Sequence, residues 1–261
     1  MHKDIIPISD SFWNVRGSYK IRGLIDVGTQ ASLVRRKNGK FVFLDSYTLS
    51  DSVQREIYAL TNGGQDVEAI LNVHPFHTIH VESMHRAFPS ARLYGTVRHR
   101  SRLPNLPWQQ PLCEEPALPQ LFAEDFDFSV PRGVDFVSAD ESVHLSSVLV
   151  VHRASRTLHV DDTLMYVALP WPLRLLHPVG LVRIHITLPK ALEQRAGAAQ
   201  DFRRWMEQFA DQCREVDTIC AAHSAVLRSA KALGTSVPDL LRTALAKAEP
   251  LLRAHERKYG G

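Results

Sequence analysis

The sequence predicts a layered α/β protein, and three observations carry that prediction. Strand grammar appears in two separate halves, near residues 18–73 and again at 133–162, each built of short apolar runs joined by turns. Amphipathic helical stretches interrupt the first half and follow the second. The 261 residues are 44% hydrophobic and 23% charged, ordinary globular usage that supports a sizeable core and one domain over 1–261.

Taken in order, residues 18–28 (SYKIRGLIDVG) and 30–36 (QASLVRR) read as strands, and Asn38-Gly39 turns the chain into FVFLD at 41–45. Ser50-Asp51 caps a helix over 51–62, with Val53, Ile57 and Leu60 at helical spacing and Asn62-Gly63-Gly64 ending it. A short buried strand, AILNV at 69–73, leads into HPFHTIH at 74–80, and VESMHRAF is then helical as far as Pro89. ARLYG at 91–95 is a further strand. Prolines at 104, 107, 111, 116 and 119, with 131 as a late member, make the next region loop-rich.

From residue 133, VDFVS, SSVLVVHR and TLHVDD read as a second meander. The apolar stretch at 163–190 is too broken by proline for a membrane helix and is expected to be an insertion near the substrate or a dimer surface. Trp171, Leu173, Leu175 and Leu176 are too apolar there to be freely solvated. A helix over 191–213, a strand DTICAAH at 217–223 and a long helix within 236–257 complete the chain.

Composition narrows the function classes. With 31 basic and 28 acidic residues the net charge is +3, which argues against a nucleic-acid or membrane partner. Arg98, Arg100 and Arg102 around His99 form the densest basic cluster and read as a solvated loop. Cys113, Cys213 and Cys220 have neither the number nor the spacing of a disulfide framework or a thiolate cage, which points to a reducing compartment. The N-terminal MHKDIIPISDSFW lacks an apolar core, so the expected location is the cytoplasm.

The chemistry-bearing residues cluster at predicted strand ends. His74, His77 and His80 follow one strand at steps of three, His144 opens another, and Asp162 and His223 close two more. In layered architectures such positions converge on one rim, where neutral imidazole and carboxylate form the ligand set of a divalent ion: zinc above all, with iron and manganese also suited. Were 77–80 helical, His77 and His80 would share a face. His85, His152, His159, His177 and His185 read as ordinary hydrogen-bonded histidines, and Asp45 as a carboxylate tying loops together.

The order of these pieces resembles the metallo-β-lactamase superfamily. The resemblance covers roughly residues 18–230 and rests on FVFLD, a helix, ILNVHPFHTIH, a helix with FPSARLYG, SVHLSSVLVV, LHVDDTL and TICAAHSAV. It implies a four-layer αβ/βα sandwich with the metal site among the loops at one edge of the two sheets. His74 matches the first histidine of the family's H-x-H-x-D-H motif, and His77 and His80 are candidates for its remainder at altered spacing. His144 resembles the middle histidine ligand, Asp162 the bridging carboxylate and His223 the last histidine. The motif's carboxylate is missing, since Thr78 and Ile79 stand between the histidines, and so are the glycines that flank the later ligands.

The function this implies is a metal-dependent hydrolase of a small molecule in which Asp162 or Asp161 takes up a proton from water. A non-haem iron redox enzyme and a non-catalytic binding protein that keeps the fold are the alternatives. Without the motif's carboxylate, two adjacent dications would repel strongly, so at most one tightly bound metal is expected per chain. A homodimer is expected if the 163–190 stretch is a contact surface.

Overall fold

Asn38-Gly39 forms the predicted turn: Gly39 has φ +83°, the Gly39 N–H donates to the Arg36 carbonyl at 3.0 Å, and the Arg36 N–H donates to the Lys40 carbonyl at 2.8 Å. In the structure, a computed structural model, residues 3–21, 25–26, 28–168, 171, 179–222 and 226–260 are described. They form two compact units, residues 1–127 and 128–261.

The first unit runs β1 (Ile5–Ser9), β2 (Phe12–Gly17), β3 (Lys20–Ile21), β4 (Ile25–Asp26), β5 (Thr29–Arg35) and β6 (Phe41–Leu44). It continues through α1 (Asp51–Leu60), β7 (Val67–Leu71), α2 (Val81–Ala87), β8 (Arg92–Tyr94), α3 (Val97–Arg102) and α4 (Leu118–Leu121). The main sheet has the order β1-β2-β5-β6-β7-β8, antiparallel as far as β6 and parallel from β6 to β8. Parallel neighbours need a crossover, and α1 and α2 supply it. The helices bury Val53, Ile57, Val81 and Met84 in one cluster with Leu33, Phe43, Ile70 and Leu93 of the sheet. The Ser50 side chain caps α1 as predicted, accepting from the Val53 N–H at 3.4 Å.

Two expectations are corrected here. The first sheet strands are β1 and β2, upstream of the predicted 18–28, whose described residues form the two-residue ladder of β3 and β4. Pro7 disguises β1 in the sequence, yet β1 is an edge strand, where a residue without an N–H is tolerated. The basic cluster is not a solvated loop either. It forms the helix α3, with His99 fully buried and the Arg98 guanidinium 4.3 Å from the centre of the Phe76 ring.

The chain passes into the second unit within β9 (Phe126–Ser129). There follow β10 (Leu149–His152), β11 (Thr157–Val160), β12 (Leu164–Val167), β13 (Leu181–Ile184), α5 (Leu188–Ala191), α6 (Ala198–Gln212), β14 (Thr218–Ala221), β15 (Val226–Leu227) and α7 (Val237–Tyr259). The sheet order is β15-β14-β11-β10-β9, with β11 and β14 parallel. Phe202, Met206 and Phe209 of α6 and Leu241 and Leu252 of α7 are fully buried in one cluster with Leu149, Leu158 and Ile219. Arg203 ties the two helices together through Glu249 and Glu256.

VDFVS makes no strand. Val134 forms a single bridge with Leu192, and the left-handed Gly133 lies so close to the Ala198 carbonyl that a Cβ there would stand 2.0 Å from it. The helix expected from 191 starts only at Ala198, because Gly197 takes φ +78° at its N-terminus. The flanks of the 163–190 stretch are part of the fold rather than an appendage: β12 and β13 pair antiparallel, with Leu164, Tyr166 and Val182 buried in the core. Trp171 is 79% exposed, which corrects the expectation that it would not be freely solvated, whereas Leu173, Leu175, Leu176 and His177 lie outside the described residues. No helix among the described residues is long and apolar enough to cross a membrane.

Candidate functional site

In the first unit the chemistry gathers around Asp45, which follows β6 in the left-handed conformation, φ +60°. An aspartate tolerates that region better than most residues, and the bend turns its carboxylate back under the loop after β7. One oxygen, Oδ1, accepts the N–H of Val73 at 2.7 Å and of His74 at 3.3 Å. The other, Oδ2, stands 3.1 Å from His77 Nδ1. The loop-tying role expected for Asp45 is therefore present, together with an orienting role that the sequence did not suggest. A carboxylate on Nδ1 fixes the proton there and leaves Nε2 as a lone-pair donor, the arrangement found behind metal-ligating histidines.

His74 is fully buried and stacks on His77, with ring centres 4.0 Å apart. Its Nδ1 accepts the Phe76 N–H at 3.1 Å, so a neutral His74 carries its proton on Nε2. His80 sits apart from this pair. The helix α2 starts one residue later, so His80 is its N-cap rather than a member of a shared helical face with His77. His80 Nδ1 lies 2.9 Å from Thr48 Oγ1, its ring meets Tyr47 edge-on, and burial, then the neighbouring His77, lowers its pKa.

Behind the pair lies His99, whose Nδ1 accepts the Thr96 N–H at 3.2 Å. Its pKa falls to about 3, chiefly through burial, although the His77 backbone opposes the shift. In the sequence the arginine neighbours of His99 look like a solvated surface, which hides the buried ring.

The second unit also gathers donor residues. His144 Nδ1 is 2.7 Å from Asp162 Oδ2, and the His144 and His185 ring centres are 5.3 Å apart. His144, Asp162 and His185 each offer a ligand atom, and these atoms lie within 4.8 Å of one another. Thr163 organises the group. Its buried hydroxyl donates to the Leu145 carbonyl at 2.9 Å and accepts from the Ser147 N–H at 3.1 Å, which ties the His144 loop to the residue after Asp162. The β12–β13 register does the rest, bringing the His185 N–H to 3.4 Å from the Thr163 carbonyl. Thr187 Oγ1 stands 2.7 Å from His185 Nδ1 and holds the ring.

His185 is hydrogen-bonded as expected, its Nδ1 also accepting the Thr187 N–H at 3.3 Å, and it lies in addition beside His144 and Asp162. Nothing in local spacing marks it, since only the pairing of β12 with β13 closes the gap from Asp162. Asp161 is buried, with Oδ2 3.7 Å from His159 Nε2. His152 is satisfied as expected, its Nδ1 2.7 Å from Ser155 Oγ. His223 lies outside the described residues.

The donor chemistry fits a divalent ion on its own terms. His77 and His144 each place Nδ1 against a carboxylate, and nitrogen and oxygen donors of this kind suit zinc and related cations.

No protein-family model matches the chain, and no curated protein matches it by sequence. Solved structures do match. DIM-1 metallo-β-lactamase aligns over 94% of this chain and 96% of its own, with a TM-score of 0.60 and 13% identity. A metallo-β-lactamase from Erythrobacter litoralis covers 93% and 98% at a TM-score of 0.59 and 13% identity. FIM-1 from Pseudomonas aeruginosa, in a mono-zinc form, covers 94% and 95% at 0.58 and 10% identity. Across nearly its whole length, this α/β chain has the metallo-β-lactamase fold, in a sequence that has diverged far from these structures.

Proposed function

We propose that the protein is a metal-dependent hydrolase of a small molecule, with zinc as its ion. The observation that carries the reading is the gathering of His144, Asp162 and His185 in a fold shared with metal-dependent enzymes. When bound, the ion supplies Lewis acidity that polarises a carbonyl or phosphoryl oxygen and lowers the pKa of water toward ~7. His144 and Asp162 are the proposed ligands in the second unit, joined by His185. His77 is the proposed ligand in the first, with His80 and His223 as further candidates, and His74 would join them only by giving up the Phe76 N–H that its Nδ1 accepts.

The chain's own residues do the orienting. Asp45 fixes the His77 ring with Nε2 outward, and Asp162 does the same for His144. Asp162 is also the proposed proton acceptor, with its Oδ2 2.7 Å from His144 Nδ1. Asp161 is the alternative acceptor.

Elemental analysis of protein purified without chelators tests the reading. We expect up to one equivalent of zinc per chain, a sharp loss of metal in His144→Ala or His77→Ala, and no change in His85→Ala. Iron together with oxygen consumption would favour a redox enzyme instead. Protein free of metal and unable to take it up would favour a binding role. Two equivalents of zinc would overturn the charge argument.

A further inference from the structure

A groove of about 340 Å³ runs between β13 and α7 in the second unit. One wall is Ile184, His185, Ile186 and Leu188, and the other is Ala244, Ala248 and Leu251 of α7. Apolar surface is left open along it, for Ile186 is 82% exposed and Leu251 42%. A soluble surface normally avoids such a concentration unless something binds there.

The charges of the groove are one-sided. Arg183 and Lys247 line it, both are exposed, and neither enters an ion pair among the described residues. No carboxylate is among its lining residues. Some other cations of the unit are matched, Arg195 with Glu193 and Asp201, Arg203 with Glu249 and Glu256, and Arg242 with Glu207 and Asp211. His185 belongs both to the groove and to the donor group with His144 and Asp162.

We propose that this groove is the substrate's subsite and that it takes an aliphatic chain bearing an anionic group. The chain lies along Ile184, Leu188, Ala244 and Ala248, and the anion faces Arg183 and Lys247. His185 stands where the groove meets the donor group, so the bond to be cleaved lies at that end. The placement of that bond rests on the hydrolase reading, whereas binding in the groove does not. Apolar burial supplies most of the affinity and the two cations supply the selection by charge.

Calorimetric titration of the whole protein, as purified and after metal depletion, tests this with octanoate as probe and octanol and octylamine as comparisons. We expect saturable octanoate binding, weaker binding of octanol and none of octylamine. The surface variants Lys247→Glu and Arg183→Glu should each weaken octanoate by about tenfold, and Ile186→Asp should weaken octanoate and octanol alike. Equal binding of octanoate and octanol, or no effect of either charge reversal, would overturn the proposal. Stoichiometric metal without octanoate binding would overturn the groove and leave the hydrolase reading intact. Octanoate binding in a protein that takes up no metal would support the groove and overturn the hydrolase reading.

Discussion

The two units hold histidines in different ways. In the first, Asp45 serves a loop only a few residues long: both of its oxygens are engaged within Val73–His77, and the stacked His74–His77 pair lies just past β7. In the second, His144, Asp162 and His185 come from three distant segments, joined by the Thr163 hydroxyl and by the register of β12 against β13. The first group lies within one loop, held by a carboxylate that the pairing of β6 with β7 brings to it. The second exists only once a hairpin and a loop have docked, so its order depends on the stability of the whole unit.

A large effect is expected from breaking the first group. Asp45→Ala leaves the N–H groups of Val73 and His74 and the His77 ring without their buried acceptor, at roughly 1–3 kcal/mol for each unsatisfied group. We expect a loss of about 3 kcal/mol or more in urea denaturation. Asp45→Asn retains one oxygen and should lose less stability while still weakening metal binding about 10–100-fold. If Asp45→Ala denatures like the wild type, the first group is not held as described.

Thr163→Val probes the distributed group with nearly unchanged shape. It removes the acceptor of the Ser147 N–H and the donor to the Leu145 carbonyl, both buried, and should cost about 1–3 kcal/mol. Metal content should fall with it, because His144 loses its tether to Asp162. Normal metal content in a destabilised Thr163→Val protein would show that the loop does not need the tether.

A further effect, seen only as pH falls, returns to the first unit. Burial lowers the pKa of His99 from near 6.5 to about 3, so between these values the unfolded chain binds a proton that the folded chain does not. The folded-state pKa is depressed, so this contribution is complete above about 6.5, is lost as pH falls, and levels off only below about 3. Within that window the slope is about 1.4 kcal/mol per pH unit. His99→Gln keeps an acceptor for the Thr96 N–H and should flatten stability against pH relative to the wild type. Parallel curves for the two proteins would remove His99 as the cause.

Much of this was legible in the sequence because it depends on neighbours along the chain. Asn38-Gly39, the Ser50 cap and the stop at Asn62-Gly63-Gly64 follow from local backbone preference, and FVFLD, HPFHTIH and LHVDD keep the order of elements that the shared fold imposes. Other features needed tertiary structure. Pro7 lies in a strand because that strand is at an edge, and His99 is buried although arginines flank it. His185 reaches Asp162 because antiparallel pairing brings residue 184 opposite 164. The physical reason is range: turns and caps are decided by hydrogen bonds within a few residues, whereas sheet edges, burial and donor groups depend on which distant segments meet.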